Sequence, residues 1–95
     1  MQNKELKKIV DLIIKTSDPK RIILFGSRSK GNFDHSADYD LAIDSNKISF
    51  RNKRKLIEQI EEIIGLHSLD LINLDEVDSK FRKIISNTGK IIYER

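Results

Sequence analysis

Apolar residues recur along this 95-residue chain with two different spacings, and these spacings predict its helices and strands. Near the start they stand three or one positions apart, which is typical of the apolar face of a helix. These first residues are Leu6, Ile9, Val10, Ile13 and Ile14. Short β-branched runs further along predict strands. The predicted elements are a helix over 3–16, strands over 21–25 and 38–43, a helix over 49–64, a strand over 68–73, a third helix, and a strand over 91–93.

Capping residues mark the predicted helix ends. Gly65 follows the last apolar position of the second helix and predicts its C-terminus. Asp75 is the predicted N-cap of the third helix, which ends at Gly89. The apolar stripe of that helix is predicted to be Val77, Phe81, Ile84 and Ile85. This order of helices and strands predicts an α/β (α+β) fold, with a small mixed β-sheet, helices packed mainly on one face, and a site on the uncovered face.

The composition predicts a single folded domain over residues 1–95. With 38% apolar and 35% charged residues, the chain is far from the range of disordered proteins. The net charge of +3 is too small to indicate nucleic-acid binding, so direct binding of nucleic acid is not expected. Cysteine is absent, and no signal peptide or membrane span is visible. We expect a cytoplasmic protein that does not bind membranes.

A phosphate-binding turn is predicted directly after the first strand. Gly26 and Ser27 follow an apolar run, and glycine lets backbone N–H groups approach an anion closely because it has no Cβ. A Gly-Ser pair after a strand is most often an ordinary turn. Ten residues later, however, the chain continues with Asp38, Tyr39 and Asp40, and this combination favours phosphate binding.

Asp38 and Asp40 are predicted to project from one face of the second strand, because side chains alternate along a strand. Two carboxylates at roughly 7 Å, the repeat of alternate strand residues, repel each other. A hard divalent cation such as Mg²⁺ relieves that repulsion. Asp70 alternates with Leu69 and Leu71 in the third strand and could join the same acidic face. These residues therefore indicate a nucleoside triphosphate bound with magnesium.

For other polar residues, the sequence gives weaker evidence of a role in the site. Asp44 shares the strand face of Asp40 but lies at the end of the strand, so it is only a distant alternate ligand. The basic run 51–55 is interpreted as a solvated helix start, although RNA or an acidic partner could bind there. No role in the chemistry is assigned to Asp34, His35, His67 or Tyr39, and Tyr39 is expected in the core.

The segment from Gly26 to Asp40 resembles the signature of the DNA polymerase β-like nucleotidyltransferase superfamily. The whole chain is similar to the minimal nucleotidyltransferases within it. This resemblance implies the nucleotidyltransferase fold, ATP as substrate and two Mg²⁺ ions. Members of this kind often act as antitoxins of a HEPN-domain RNase toxin, and characterised ones transfer AMP from ATP to a tyrosine of the toxin. The resemblance thus implies a partner protein as acceptor.

The resemblance also implies which acidic residues act. Asp38, Asp40 and Asp70 would be the catalytic residues and would hold the two metal ions. Asp70 would in addition help to activate the acceptor hydroxyl for in-line attack on the α-phosphate.

Residues of the turn would bind the substrate. Gly26 and Ser27 would grip the triphosphate. Arg28 and Lys30 stand next to them in sequence, and either could neutralise charge that develops on the leaving pyrophosphate, with Arg28 favoured.

Three functions are consistent with the sequence. The leading hypothesis is a Mg²⁺-dependent nucleotidyltransferase that adenylylates a hydroxyl of its HEPN toxin. The alternative is a non-catalytic antitoxin that neutralises its partner by occlusion. A third is a nucleic-acid-binding module whose affinity would fall steeply with salt. A hetero-oligomer and a homodimer are both compatible with the sequence.

Overall fold

The computed structural model describes residues 4–26, 39–45, 48–65 and 68–95. Its elements are α1 (Lys4–Ser17), β1 (Arg21–Phe25), β2 (Tyr39–Asp44), α2 (Phe50–Ile64), β3 (Leu69–Asn73), a short 3₁₀ turn (Leu74–Glu76), α3 (Ser79–Thr88) and β4 (Lys90–Glu94). Each predicted helix and strand is present. The predicted bounds are closest for β1, which agrees at both ends.

The four strands form one mixed sheet in the order β3-β2-β1-β4. β1 pairs antiparallel with both β2 and β4, whereas β2 and β3 run parallel. Parallel neighbours need a crossover connection, and α2 supplies it between β2 and β3. The predicted small mixed sheet is therefore confirmed.

Two helices, α1 and α2, cover one face of this sheet, which we call the helix-covered face. Their apolar stripes pack against inward-facing strand residues and form the larger core cluster. Its fully buried members include Ile9, Ile13, Ile22, Tyr39, Leu41, Ile43, Leu56 and Ile60. The Tyr39 hydroxyl donates a hydrogen bond to Oε1 of Glu5, so the ring can be buried while its polar atom stays paired. The prediction that Tyr39 belongs to the core is confirmed.

The opposite face, which we call the open face, carries the alternate strand residues and, of the helices in the described ranges, α3 alone. There Ile85 of α3 packs with Ile23, Ala42 and Leu74 in a smaller cluster. Gly89 ends α3 close to β1, where an added Cβ would lie 2.5 Å from Cγ2 of Ile23. Two helices on one face and one on part of the other agree with the prediction that helices pack mainly on one side.

The ends of α2 follow the sequence closely. The side chain of Ser49 accepts a hydrogen bond from the Asn52 N–H at 3.1 Å, which is a standard N-cap. Gly65 has φ 63° and donates its N–H to the Glu61 carbonyl at 3.0 Å, as predicted for the C-terminus. Among the helices in the described ranges, none combines the length and apolar character that a membrane span requires.

The predicted N-cap of the third helix is wrong. The cap is Asp78, whose side chain accepts a hydrogen bond from the Phe81 N–H at 2.8 Å. Asp75 instead lies in the 3₁₀ turn, where its N–H donates to the Asn73 side chain at 3.1 Å. Leu74 explains the difference, because this turn buries it in the smaller cluster before α3 begins.

Candidate active site

Asp40 and Asp70 lie side by side on the open face. Each is the second residue of its strand, and the parallel register of β2 and β3 pairs them directly. Paired residues of neighbouring strands project to the same face, from backbones about 4.8 Å apart. Asp40 is half-buried and Asp70 is exposed. The strands therefore bring these two predicted site residues together near the N-terminal ends of β2 and β3.

Gly26 lies directly against the carboxylate of Asp40. Its φ is 72°, in the left-handed region that favours glycine, and it follows Phe25, the register partner of Asp40. A Cβ on Gly26 would overlap Oδ2 of Asp40 and would lie 3.0 Å from its Cγ. The sequence predicted that glycine is needed for close approach to an anion. In the structure, the anion that Gly26 approaches is the carboxylate of Asp40.

An aromatic pair, Phe25 and Phe81, lies next to these residues. Phe25 is the register partner of Asp40 in the antiparallel pairing of β1 and β2, so both side chains are on the open face. The ring of Phe81 meets the ring of Phe25 edge to face, with centroids 6.1 Å apart. Phe81 is still 38% exposed. Sequence reasoning missed this pair because it assigned Phe81 to the core, and only the position of Phe25 beside Gly26 could have indicated it.

Asp44 lies at the other end of β2. It is on the same strand face as Asp40, but four residues away, a separation of about 13 Å along a strand. Nε and Nη2 of Arg21 both donate to Oδ2 of Asp44, at 3.1 and 3.0 Å. We therefore assign Asp44 a structural role, as the ion-pair partner of Arg21.

Four of the predicted site residues, Ser27, Arg28, Lys30 and Asp38, lie outside the described residues. Within the described ranges, no group of three or more histidine, cysteine, aspartate or glutamate side chains could hold a metal ion. Asp40 and Asp70 nevertheless fit magnesium, because carboxylate oxygens on adjacent strands are the hard donors that this ion prefers. The donors that β2 and β3 supply are thus compatible with the predicted metal and include two of its three predicted ligands.

A groove lies away from these carboxylates. It has a volume of about 770 Å³ and runs beside α2. It is lined by Ile48, Phe50, Lys53, Arg54, Ile57, Glu58, Glu61 and Glu76. Arg54 in this groove pairs with Glu58 at 3.6 Å, and both side chains are exposed. Because none of its described lining residues belongs to β1 or β2, we assign the candidate chemistry to the neighbourhood of Asp40 and Asp70 and not to the groove.

Solved structures with a similar fold include several toxin–antitoxin complexes. A toxin–antitoxin solved with AMP-PNP matches with a TM-score of 0.82 and 21% identity, over 98% of this chain and 75% of that one. The complex of tri-AMPylated HEPN toxin with MNT antitoxin from Shewanella oneidensis gives 0.78 and 21%, over 100% and 74%. An MntA–HepT toxin–antitoxin gives 0.77 and 18%, over 99% and 74%. At these identities the likeness establishes the fold.

The family is established by sequence. No curated protein matched the chain. The family model described as polymerase beta, nucleotidyltransferase, matches residues 7–95, which is nearly the whole chain. The match includes the elements that carry Gly26, Asp40 and Asp70. The resemblance predicted from the Gly26 to Asp40 segment is confirmed, and the chain belongs to the polymerase β nucleotidyltransferase family.

Proposed function

We propose that this protein is a Mg²⁺-dependent nucleotidyltransferase that transfers AMP from ATP to a hydroxyl, a tyrosine hydroxyl above all, of a partner HEPN toxin. It would act in the cytoplasm, as the antitoxin of the pair. One observation carries the proposal: Asp40 and Asp70 are paired in register beside the Gly26 turn, on the face that α1 and α2 leave uncovered. The chain belongs to a family of nucleotidyltransferases, and carboxylates at this position could hold the phosphates of a nucleotide through a divalent cation.

The choice of nucleotide and partner rests on similar structures. One of the toxin–antitoxin complexes contains AMP-PNP, an ATP analogue. Another contains a HEPN toxin that is AMPylated three times, together with an MNT antitoxin. Both share the fold over almost the whole of this chain, which makes ATP and a HEPN protein the substrates to test first.

The carboxylates would hold the metal and orient the acceptor. Asp40 and Asp70 would bind Mg²⁺ together with Asp38, and bound Mg²⁺ supplies charge neutralisation at the phosphates. A carboxylate oxygen of Asp70 takes the proton of the acceptor hydroxyl. The new bond then forms between the hydroxyl oxygen and the α-phosphorus while the bond to the β-phosphate oxygen breaks, which releases pyrophosphate. Asp70 suits this role because it is the more exposed of the pair.

The turn residues would hold the rest of the nucleotide. Gly26 and Ser27 would bind the triphosphate through backbone N–H groups. Arg28 or Lys30 would neutralise the departing pyrophosphate, and a guanidinium is better suited to bidentate contact with phosphate.

The proposal is tested by incubating the protein, a HEPN partner and labelled ATP with and without magnesium. The wild-type protein should label the partner with magnesium and not without it, whereas Asp70→Asn should give no label and Asp75→Asn should label as wild type does. Asp75→Asn is the matched control, since Asp75 is also exposed and acidic but lies in the 3₁₀ turn after β3. If Asp70→Asn neutralises the toxin as well as wild type, then the protein acts by occlusion and the catalytic proposal is wrong.

A further inference from the structure

The aromatic pair, Phe25 and Phe81, lies beside the Asp40 carboxylate on the open face. Phe25 stands on β1 next to Asp40 on β2, and Phe81 reaches it from the first turn of α3. The backbone of Phe81 is held in place by its hydrogen bond to Asp78. The open face therefore presents a fixed aromatic surface at the C-terminal end of β1, directly before the predicted phosphate-binding turn.

The core does not require an aromatic ring at position 81. The smaller cluster is filled by Ile23, Ala42, Leu74 and Ile85, which are all buried. Phe81 remains 38% exposed although it contacts Phe25. A ring that is partly in contact and partly in solvent is suited to cover a flat group that arrives with a ligand, because π-faces stack on planar heterocycles.

The order of the strands indicates which ligand meets this ring. Reading across the open face from β3 to β1, the register aligns Asp70, Asp40 and Phe25 in consecutive strands. Asp70 and the aromatic pair thus lie on opposite sides of Asp40. If the acceptor hydroxyl is at Asp70, then the aromatic pair lies on the side of the nucleotide, whose phosphates are anionic and whose base is flat and apolar on its faces.

We propose that the exposed surface of Phe81, supported by Phe25, contacts the purine base of the nucleotide and contributes to nucleotide affinity. This inference rests on the proposed function, because it takes Asp70 as the acceptor side. Phe81 is a substrate-binding residue here and takes no part in proton transfer.

The test compares Phe81→Ala with Phe81→Trp and with Ile84→Ala. Ile84 is a suitable control because it is on the same helix and is 56% exposed, but its side chain has no ring. Binding of AMP-PNP with magnesium, measured by calorimetry, should weaken about tenfold in Phe81→Ala, the scale of one lost base–aromatic contact. Phe81→Trp should bind at least as tightly as wild type, and Ile84→Ala should be unchanged.

Inorganic pyrophosphate, which has no base, shows whether the effect of Phe81→Ala depends on the base. Inhibition by inorganic pyrophosphate should be the same in wild type and Phe81→Ala, because pyrophosphate cannot reach an aromatic contact. In transfer assays, the KM for ATP should rise about tenfold in Phe81→Ala while kcat changes little. Circular dichroism and thermal melting check that the variant is folded, and Phe81→Leu, which keeps apolar bulk without a ring, provides a second comparison.

Two results would overturn the inference. One is a Phe81→Ala protein that binds AMP-PNP as well as wild type but has a raised KM for the acceptor protein, which would assign the ring to the acceptor. The other is unchanged binding and unchanged kinetics. AMP-PNP binding is measured without an acceptor protein, so that no transfer can take place. If the wild-type protein proves inactive in transfer but Phe81→Ala still weakens AMP-PNP binding, the proposed function is contradicted and this inference stands.

Discussion

The two faces of the sheet differ in what their residues do. On the helix-covered face, α1 and α2 bury a continuous set of isoleucine, leucine and tyrosine side chains. On the open face, the same strands present Asp40 and Asp70, and α3 covers only part of the surface with a much smaller cluster. One face thus carries most of the burial that stabilises the fold, which leaves the other free to carry charges that would be costly to bury. Substitutions on the two faces should therefore change different measurements.

The largest effect is expected for Asp40→Asn on the open face. Loss of the charge should remove metal-assisted stabilisation worth about 4 kcal/mol and slow AMP transfer about a thousandfold. Asparagine has nearly the same shape, so the melting temperature should change little. Transfer rates and thermal melting measure the two effects, and a wild-type rate in this variant would mean that Asp40 does not take part.

Ile60→Ala should show the opposite behaviour on the helix-covered face. Ile60 is fully buried in the larger cluster, and truncation of such a residue lowers the free energy of unfolding by about 3 kcal/mol. Urea titration measures this loss, and Ile60→Val should lose only about 1 kcal/mol. The KM for ATP of the folded variant should equal that of wild type. A changed KM would show that the two faces are coupled.

Gly26→Ala should lower both the stability of the fold and the transfer activity. The left-handed backbone and the overlap with Asp40 together should lower the free energy of unfolding by about 2 kcal/mol. The displaced carboxylate should also lower the transfer rate.

Gly65→Ala is the matched control for this glycine. Gly65 has a similar φ of 63°, but an added Cβ would meet no atom of another described part of the chain within 4 Å. It should lose about 1 kcal/mol of stability from the backbone alone and keep wild-type activity. Equal activity in the two alanine variants would show that the close approach of Gly26 to Asp40 is not needed for transfer.

The smallest effect is expected for Asp44→Asn, which tests whether every acid on the open face matters. Asp44 is on the face of Asp40 but is paired with Arg21 at the far end of β2. Loss of this partly exposed ion pair should lower the free energy of unfolding by about 1 kcal/mol or less. Transfer activity should be unchanged, and a large loss of activity would extend the site along the whole strand.

The sequence predicted the elements and the faces well because both depend on short-range periodicity. Asp70 was assigned to the face opposite Leu69 and Leu71 from alternation alone, and the register confirms that it shares a face with Asp40. This alternation is a property of successive residues within one strand and does not depend on which strands pair. The catalytic roles of these residues stay predictions.

The features that the sequence did not predict depend on tertiary contacts. Asp75 and Asp78 are both good N-cap residues, and the burial of Leu74 decides between them. The exposure of Phe81 depends on where α3 crosses the sheet, and its contact with Phe25 joins residues far apart in sequence. The approach of Gly26 to Asp40 likewise follows from the pairing of β1 with β2. A local sequence pattern does not predict which strands pair.

The parallel pairing of β2 with β3 links ligand binding to the folding of the chain. Asp40 and Asp70 are thirty positions apart in sequence and become neighbours only after α2 has crossed over the sheet. A divalent cation held between them would therefore bind the native chain in preference to the unfolded one. By mass action, such an ion raises the unfolding free energy with its concentration, so magnesium would act as a conformational stabiliser before any nucleotide arrives.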